Sequence, residues 1–134
     1  MLSRYLLDTN IWSHLQRRSS PQLTERFNTL QAQQICMSVI VRGELETGYL
    51  KGDRSPQRRQ SLNFIVAGSQ LLEMSQGVAE QYANIRTALE KAGTPIGPND
   101  TWIAAEALHH KLILVSDNGR AFERVAGLKV ENWL

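Results

Sequence analysis

Asp8, Glu44, Asp100 and Asp117 are the side chains with which this chain is equipped for chemistry. Each stands where an apolar or helix-forming run begins or ends, and the first lies in Leu6-Leu7-Asp8-Thr9-Asn10. Asp8 directly follows the strand-like run Tyr5-Leu6-Leu7, and Asp117 nearly follows Leu112-Ile113-Leu114-Val115. In parallel sheets the carboxyl ends of strands are where ligands bind, so these acids share one rim if the two strands are neighbours. Crowded carboxylates repel and favour protonation, and a set of them calls for a cation that makes their charge favourable. Oxygen ligands without histidine or thiol select Mg²⁺ or Mn²⁺ over zinc.

Each acid also has a plainer reading. Asp8 can cap the next helix as an Asx turn, with Asn10 as a second candidate cap. Asp100 falls in a first helical turn, where the macrodipole stabilises negative charge without any metal. Asp117 can serve as an N-cap, as can Ser116 or Asn118. Glu44 and Glu46 diverge by roughly 200° on a helix, so one faces the site and the other solvent. Glu44 is preferred because Gly43 and Gly48 leave room beside it. Four acids at comparable topological positions carry the metal-site reading together, with Asn10, two residues after Asp8, able to serve the ion's water shell.

The elements that must position them follow from periodicity and turn chemistry. Tyr5–Leu7 lacks strict alternation, as suits a strand covered on both faces. Ile11, Trp12 and Leu15 form a helical stripe, and Pro21 opens a helix bearing Leu23, Phe27 and Leu30. Ile35-Cys36-Met37 is a second short strand. Ser38 caps a helix in which Val41, Leu45 and Tyr49 share a face. Turn residues at 52–56 precede a helix around Leu62–Val66 and a third strand near Leu71-Leu72. Val78, Tyr82, Ile85 and Leu89 mark a helix ended by Gly93 and Pro95, and Pro98 opens another with Ile103, Ala104, Ala107 and Leu108 inward. The strand at 112–115, a short helix at 121–125 and an extended piece near Lys129-Val130 complete the chain. Strands alternating with helices predict an α/β fold with a mainly parallel sheet, a single domain over residues 1–134.

Composition narrows the function. The 134 residues carry 15 Lys+Arg and 13 Asp+Glu, a net charge of +2, too mild for a protein that wraps nucleic acid. The basic residues cluster, however: Lys51, Arg54, Arg58 and Arg59 crowd one segment, a candidate nucleic-acid-binding surface or else a solvated loop and helix face. Cys36 is the single cysteine and reads as a buried strand residue in a reducing compartment. No apolar stretch is long enough to span a bilayer, and a cytoplasmic protein is expected. His109 and His110 are adjacent and diverge by roughly 100° on a helix, which disfavours a two-histidine ribonuclease. His14 has no triad partner, and Trp12, Trp102 and Trp133 read as core or core-rim residues.

Taken together, Leu7-Asp8-Thr9-Asn10, Ser38-Val39-Ile40 running to Glu44-Leu45 with Gly48, Ile96-Gly97-Pro98-Asn99-Asp100 with Ile103-Ala104-Ala105, and Leu114-Val115-Ser116 through Phe122-Glu123-Arg124-Val125 to Trp133 form a specific set. Over nearly its whole length the chain resembles the PIN-domain ribonucleases, and more closely the VapC-type toxins of bacterial toxin–antitoxin pairs. The resemblance implies a three-layer α/β/α sandwich and a Mg²⁺- or Mn²⁺-dependent endoribonuclease with Asp8, Glu44 and Asp100 in the site. It implies as partners a VapB-like antitoxin, a second copy of the chain in a homodimer, and RNA, with transfer RNA, the initiator species included, as substrate. The family's last motif places Asn or Asp two residues after Ser or Thr; here that position is Asn118 while Asp117 comes one earlier, so the fourth ligand stays open between them. Two other classes fit the residues alone: an Asp8-nucleophile phosphatase or phosphotransferase, and a non-catalytic receiver-like module that docks a partner on the same rim.

Overall fold

A computed structural model describes residues 2–134. The elements run β1 (Tyr5–Leu7), α1 (Thr9–Arg17), α2 (Pro21–Asn28), a 3₁₀ turn (Ala32–Gln34), β2 (Ile35–Met37), α3 (Val39–Lys51) and α4 (Pro56–Ala67). After them come β3 (Gln70–Leu71), α5 (Gln76–Lys91), α6 (Pro98–His109), β4 (Ile113–Val115), α7 (Gly119–Phe122) and β5 (Val130–Glu131). The five strands form one sheet in the order β3-β2-β1-β4-β5, and every pairing is parallel. Parallel neighbours need crossovers, and the helices supply them.

The central strands explain the lack of alternation in their sequence. Leu6 and Leu7 are fully buried, as are Leu114 and Val115, because helices cover the sheet on both sides. The chain winds outward from β1 to β2 to β3, then returns past β1 to lay down β4 and β5. The winding therefore reverses between β1 and β4, which pair with Leu6 opposite Leu114 and Leu7 opposite Val115. Such a reversal leaves a crevice at the strand carboxyl ends, where crossovers depart to opposite sides. The Asp8 N–H still donates to the Val115 carbonyl at 3.0 Å, so the residues just beyond both strands lie side by side.

Helix starts are written in serine and proline. Ser20, Ser38, Ser55 and Ser75 each accept a backbone N–H as N-caps, and Pro21, Pro56 and Pro98 occupy the first turn, where a missing N–H costs nothing. Gly93 follows α5 at φ 73, the left-handed conformation that ends helices at glycine.

Several sequence expectations shift. Asp8 rather than Asn10 caps α1, and Asn10 lies inside its first turn. α2 ends at Asn28, before Leu30, and the last helix is the shorter α7, with Val125 in the turns after it. α6 has no simple inner face: Thr101 and Ile103 through Ala107 are all buried, while Leu108 is only partly so. A helix wrapped on all sides gives no clean periodic stripe. Glu46 faces not solvent but Arg59 of α4, with Arg59 Nη1 2.7 Å from its Oε2.

Candidate functional site

Asp8 occupies the point where β1 gives way to α1. Its Oδ1 accepts the Ile11 N–H at 3.1 Å and caps the helix. The residue is only 8% exposed. Burial pushes its carboxyl up from 3.8 to about 6; hydrogen bonds from Ser116 and the Ile11 N–H oppose the rise, and the charges of Asp117 and Asp100 add to it. A carboxyl that burial disfavours in its charged form gains most from a cation placed beside it.

The other acids come from three further elements. Glu44 sits in α3, partly buried, and Thr9 Oγ1 donates to its Oε1 at 2.8 Å. Asp100 lies in the first turn of α6. Burial raises its carboxyl first and the charge of Glu44 second, while the Asn118 side chain opposes them from 3.5 Å. Asp117, just past β4 and exposed, accepts the Asn10 Nδ2–H at 2.6 Å. Asp8 thus feels Asp117 and Asp100, and Asp100 feels Glu44, so the four acids form one electrostatic neighbourhood. Asp117 and Asn118 both stand on this rim with different neighbours, Asp117 beside Asn10 and Asp8, Asn118 beside Asp100. Ser116 is fully buried, and its hydroxyl accepts the Asn118 N–H at 2.9 Å, which fixes the turn after β4.

The donor set is all oxygen and amide, which fits a hard divalent ion and not zinc. Among the described residues no three His, Cys, Asp or Glu side chains close up into a ready coordination sphere. Glu44, Asp117 and Asp100 each accept a hydrogen bond from a neutral donor, Thr9, Asn10 and Asn118 respectively.

The basic segment is divided by the fold. Arg59 is committed to Glu46 through two hydrogen bonds of 2.7 and 2.8 Å and lies over the Tyr49 ring, so its charge is largely spent. Arg54 turns back to the Leu50 carbonyl, and Lys51 is exposed at the end of α3. Arg58 lines a groove of about 570 Å³ that also includes Thr9 and Glu44.

Two contributors had weaker signals in the sequence. Thr9 was visible only as a neighbour of Asp8, yet it orients Glu44. Glu106 hides among the alanines of α6, fully buried, and its Oε1 lies 2.5 Å from the Ser38 hydroxyl while Oε2 has no partner. Burial raises its carboxyl, with Ser38 opposing, and the contact ties the start of the Glu44 helix to the Asp100 helix. An acid inside an Ala-rich helical stretch was its one legible sign. His109 and His110 do not diverge as expected: their rings meet edge to face at 4.9 Å, because His110 is the C-cap and has left helical geometry. They lie at the far end of α6 from Asp100. Trp12 and Trp133 are core residues, and Trp102 stacks on Tyr82.

Known proteins share this fold and about a third of this sequence. The PIN domain family model matches residues 5–128. A Haemophilus influenzae protein named ribonuclease VapC2 is 37% identical over 131 residues, covering 98% of both chains. A Shigella flexneri protein named tRNA(fMet)-specific endonuclease VapC is 33% identical over 130 residues, covering 97% of this chain and 98% of that one. In structure, the chain is similar to the DNA-bound VapBC of Salmonella typhimurium, with a TM-score of 0.91 at 29% identity over 99% of this chain and all of that one. It is likewise similar to the promoter-bound VapBC2 of Rickettsia felis, with a TM-score of 0.88 at 30% identity over 97% of this chain and 98% of that one. With the acids on the rim of a parallel sheet and kinship along nearly the full length, this chain belongs to the PIN-domain family, among the VapC ribonucleases.

Proposed function

We propose that the chain is a single PIN domain acting as a Mg²⁺- or Mn²⁺-dependent endoribonuclease toxin, with Asp8, Glu44, Asp100 and Asp117 as its site. The observation that carries this reading is the electrostatic neighbourhood of four acids at the β1–β4 reversal, with a buried Asp8 pushed up to about 6. Asp8, Asp100 and Glu44 would hold the ion, with Asp117 or Asn118 completing the set. A divalent ion there supplies charge neutralisation for the phosphate and lowers the pKa of water. The chain's own residues do the positioning. Thr9 fixes the Glu44 rotamer, Asn10 holds Asp117, and Ser116 fixes the turn that presents Asn118. In the reaction a water oxygen bonds to phosphorus as the bond to the 3′ oxygen breaks. The water loses a proton, the leaving 3′ oxygen gains one, and the products carry a 5′-phosphate and a 3′-hydroxyl.

The substrate proposed is transfer RNA, the initiator species first, because the Shigella flexneri relative is named for tRNA(fMet). A VapB-like antitoxin is the proposed protein partner, as the similar structures are VapBC complexes, and a homodimer would present two clefts. No helix among the described residues is long and apolar enough to cross a membrane, in keeping with a cytoplasmic site of action. Sequencing RNA ends after brief expression of the wild type and of Asp8→Asn tests the proposal. New 5′-phosphate ends in transfer RNA with the wild type alone are expected; ends bearing 2′,3′-cyclic phosphate would point to attack by the ribose hydroxyl instead.

A further inference from the structure

The pair Thr9–Glu44 lines the groove of about 570 Å³ formed by residues of α1, α3 and α4. That volume lies within the usual range of about 300–1,000 Å³ for a ligand-binding cleft. Along the groove stand Ser13, Gln16, Gln57 and Ser61, all neutral hydrogen-bonding side chains, above a floor of Leu45 and Leu62. Arg17 and Arg58 also line it. Glu44 is the single carboxylate in its lining.

The two arginines are available in a way that Arg59 is not. Arg17 is exposed and forms no salt bridge among the described residues. Arg58 has only Asp53, at 3.8 Å, with both side chains more than 60% exposed, a pairing that contributes little. Gly52 gives Arg58 its room: a Cβ there would lie 3.0 Å from Arg58 Nη1. Tyr49 lines the same groove with its ring covered by Arg59 at 4.7 Å and its hydroxyl held by the Arg54 carbonyl at 2.9 Å. An aromatic side chain lining a groove can stack on a base, and guanidinium forks suit phosphate oxygens.

We propose that this groove carries the single-stranded RNA flanking the scissile phosphate, with Arg17 and Arg58 gripping backbone phosphates and Tyr49 stacking on a base. The inference rests on the ribonuclease reading, since a bond cut inside a strand requires the strand to continue away from the acids. It adds a binding path and two residues, Arg17 and Tyr49, outside the basic segment read from the sequence. Neutral hydrogen-bonding walls between cations favour a phosphodiester strand over a densely acidic peptide.

The test measures binding separately from cleavage. Anisotropy of a labelled single-stranded oligouridylate is titrated in EDTA, across a salt series, with wild type, Arg17→Gln, Arg58→Gln, the double variant, Tyr49→Ala and the remote control Lys91→Gln. Each arginine change should weaken binding about tenfold, as loss of a charged hydrogen bond does. Each should also reduce the slope of log affinity against log salt by about 0.7, the value for one single-strand phosphate contact. Lys91→Gln should bind as the wild type does. Wild-type affinity and salt slope in the double variant would overturn the proposal. So would unchanged RNA binding with loss of an oligoglutamate peptide, which would make the groove an acidic-peptide site. RNA binding that follows this pattern without cleavage in Mn²⁺ would leave the groove in place and count against the nuclease reading alone.

Discussion

Asp8 carries the largest local consequence, because its carboxyl is buried, partly capped and pushed to about 6. A rise from 3.8 to about 6 corresponds to roughly 3 kcal/mol in favour of the neutral form. The sign follows from proton binding: between these two values the folded state holds a proton that the unfolded chain has lost. Without metal, this group's contribution to stability is therefore most favourable below 3.8, declines as pH rises through that window, and levels off above about 6. Asp8→Asn keeps an acceptor for the Ile11 N–H and removes the penalty. In EDTA at pH 7 it should raise the melting temperature, by up to roughly 3 kcal/mol in stability, with the gain vanishing near pH 4. Thermal melts of both proteins across that range check it, and a destabilised Asp8→Asn at pH 7 would contradict it. Metal affinity should fall in acid, since protons compete for the same carboxyl: titrations below pH 6 should show Mn²⁺ binding weakening about tenfold per pH unit. Asp8, Asp100 and Asp117 were legible as candidates because each stands at the end of a strand or the start of a helix, whereas Glu44, inside α3, was picked out by the glycines beside it. The sequence offered Asp8 as a helix cap or as a ligand, and the choice stayed open because the two look alike until the helix start is fixed.

At the scale of elements, the site depends on how α3 and α6 are held, and Ser38 with Glu106 is the direct link between them. Ser38 caps α3 by accepting the Ile40 N–H at 3.0 Å while its hydroxyl meets Glu106. Ser38→Ala loses a cap, about 1 kcal/mol, and strands a buried carboxyl, a further 1–3 kcal/mol or so. Glu106→Leu removes that carboxyl, so the double variant should be less destabilised than the sum of the single ones; a chemical-denaturation cycle showing simple additivity would refute the coupling. Serine caps, Pro-marked helix starts and the β1, β2 and β4 runs were legible because their causes are local. The buried surround of α6 was not, because five consecutive buried residues, 103–107, erase the 3.6-residue stripe, and with it the sign that Glu106 points into the core. The pairing of Glu46 with Arg59 was hidden for a related reason: it joins two helices whose packing no single window of sequence contains. Arg59→Ala should accordingly cost some stability and leave the salt dependence of RNA binding unchanged.

Across the whole molecule, the strand order decides whether scattered acids become a site. Asp8 and Asp117 are far apart in the chain, yet they meet because β4 returns to pair with β1 rather than extending the sheet beyond β3. Alternating strands and helices foretold a parallel sheet, but the reversal arises from long-range pairing, and in the sequence the adjacency of β1 and β4 stood only as a condition. This reversal gathers the acids into one neighbourhood, where we propose they hold a divalent ion. Calorimetric titration of Mn²⁺ into the wild type, Asp8→Asn, Glu44→Gln and Asp100→Asn at pH 7.5 tests it most directly. Saturable binding by the wild type, weakened at least tenfold in each variant while all melt cooperatively, is the predicted result; equal Mn²⁺ affinity in all four proteins would contradict it.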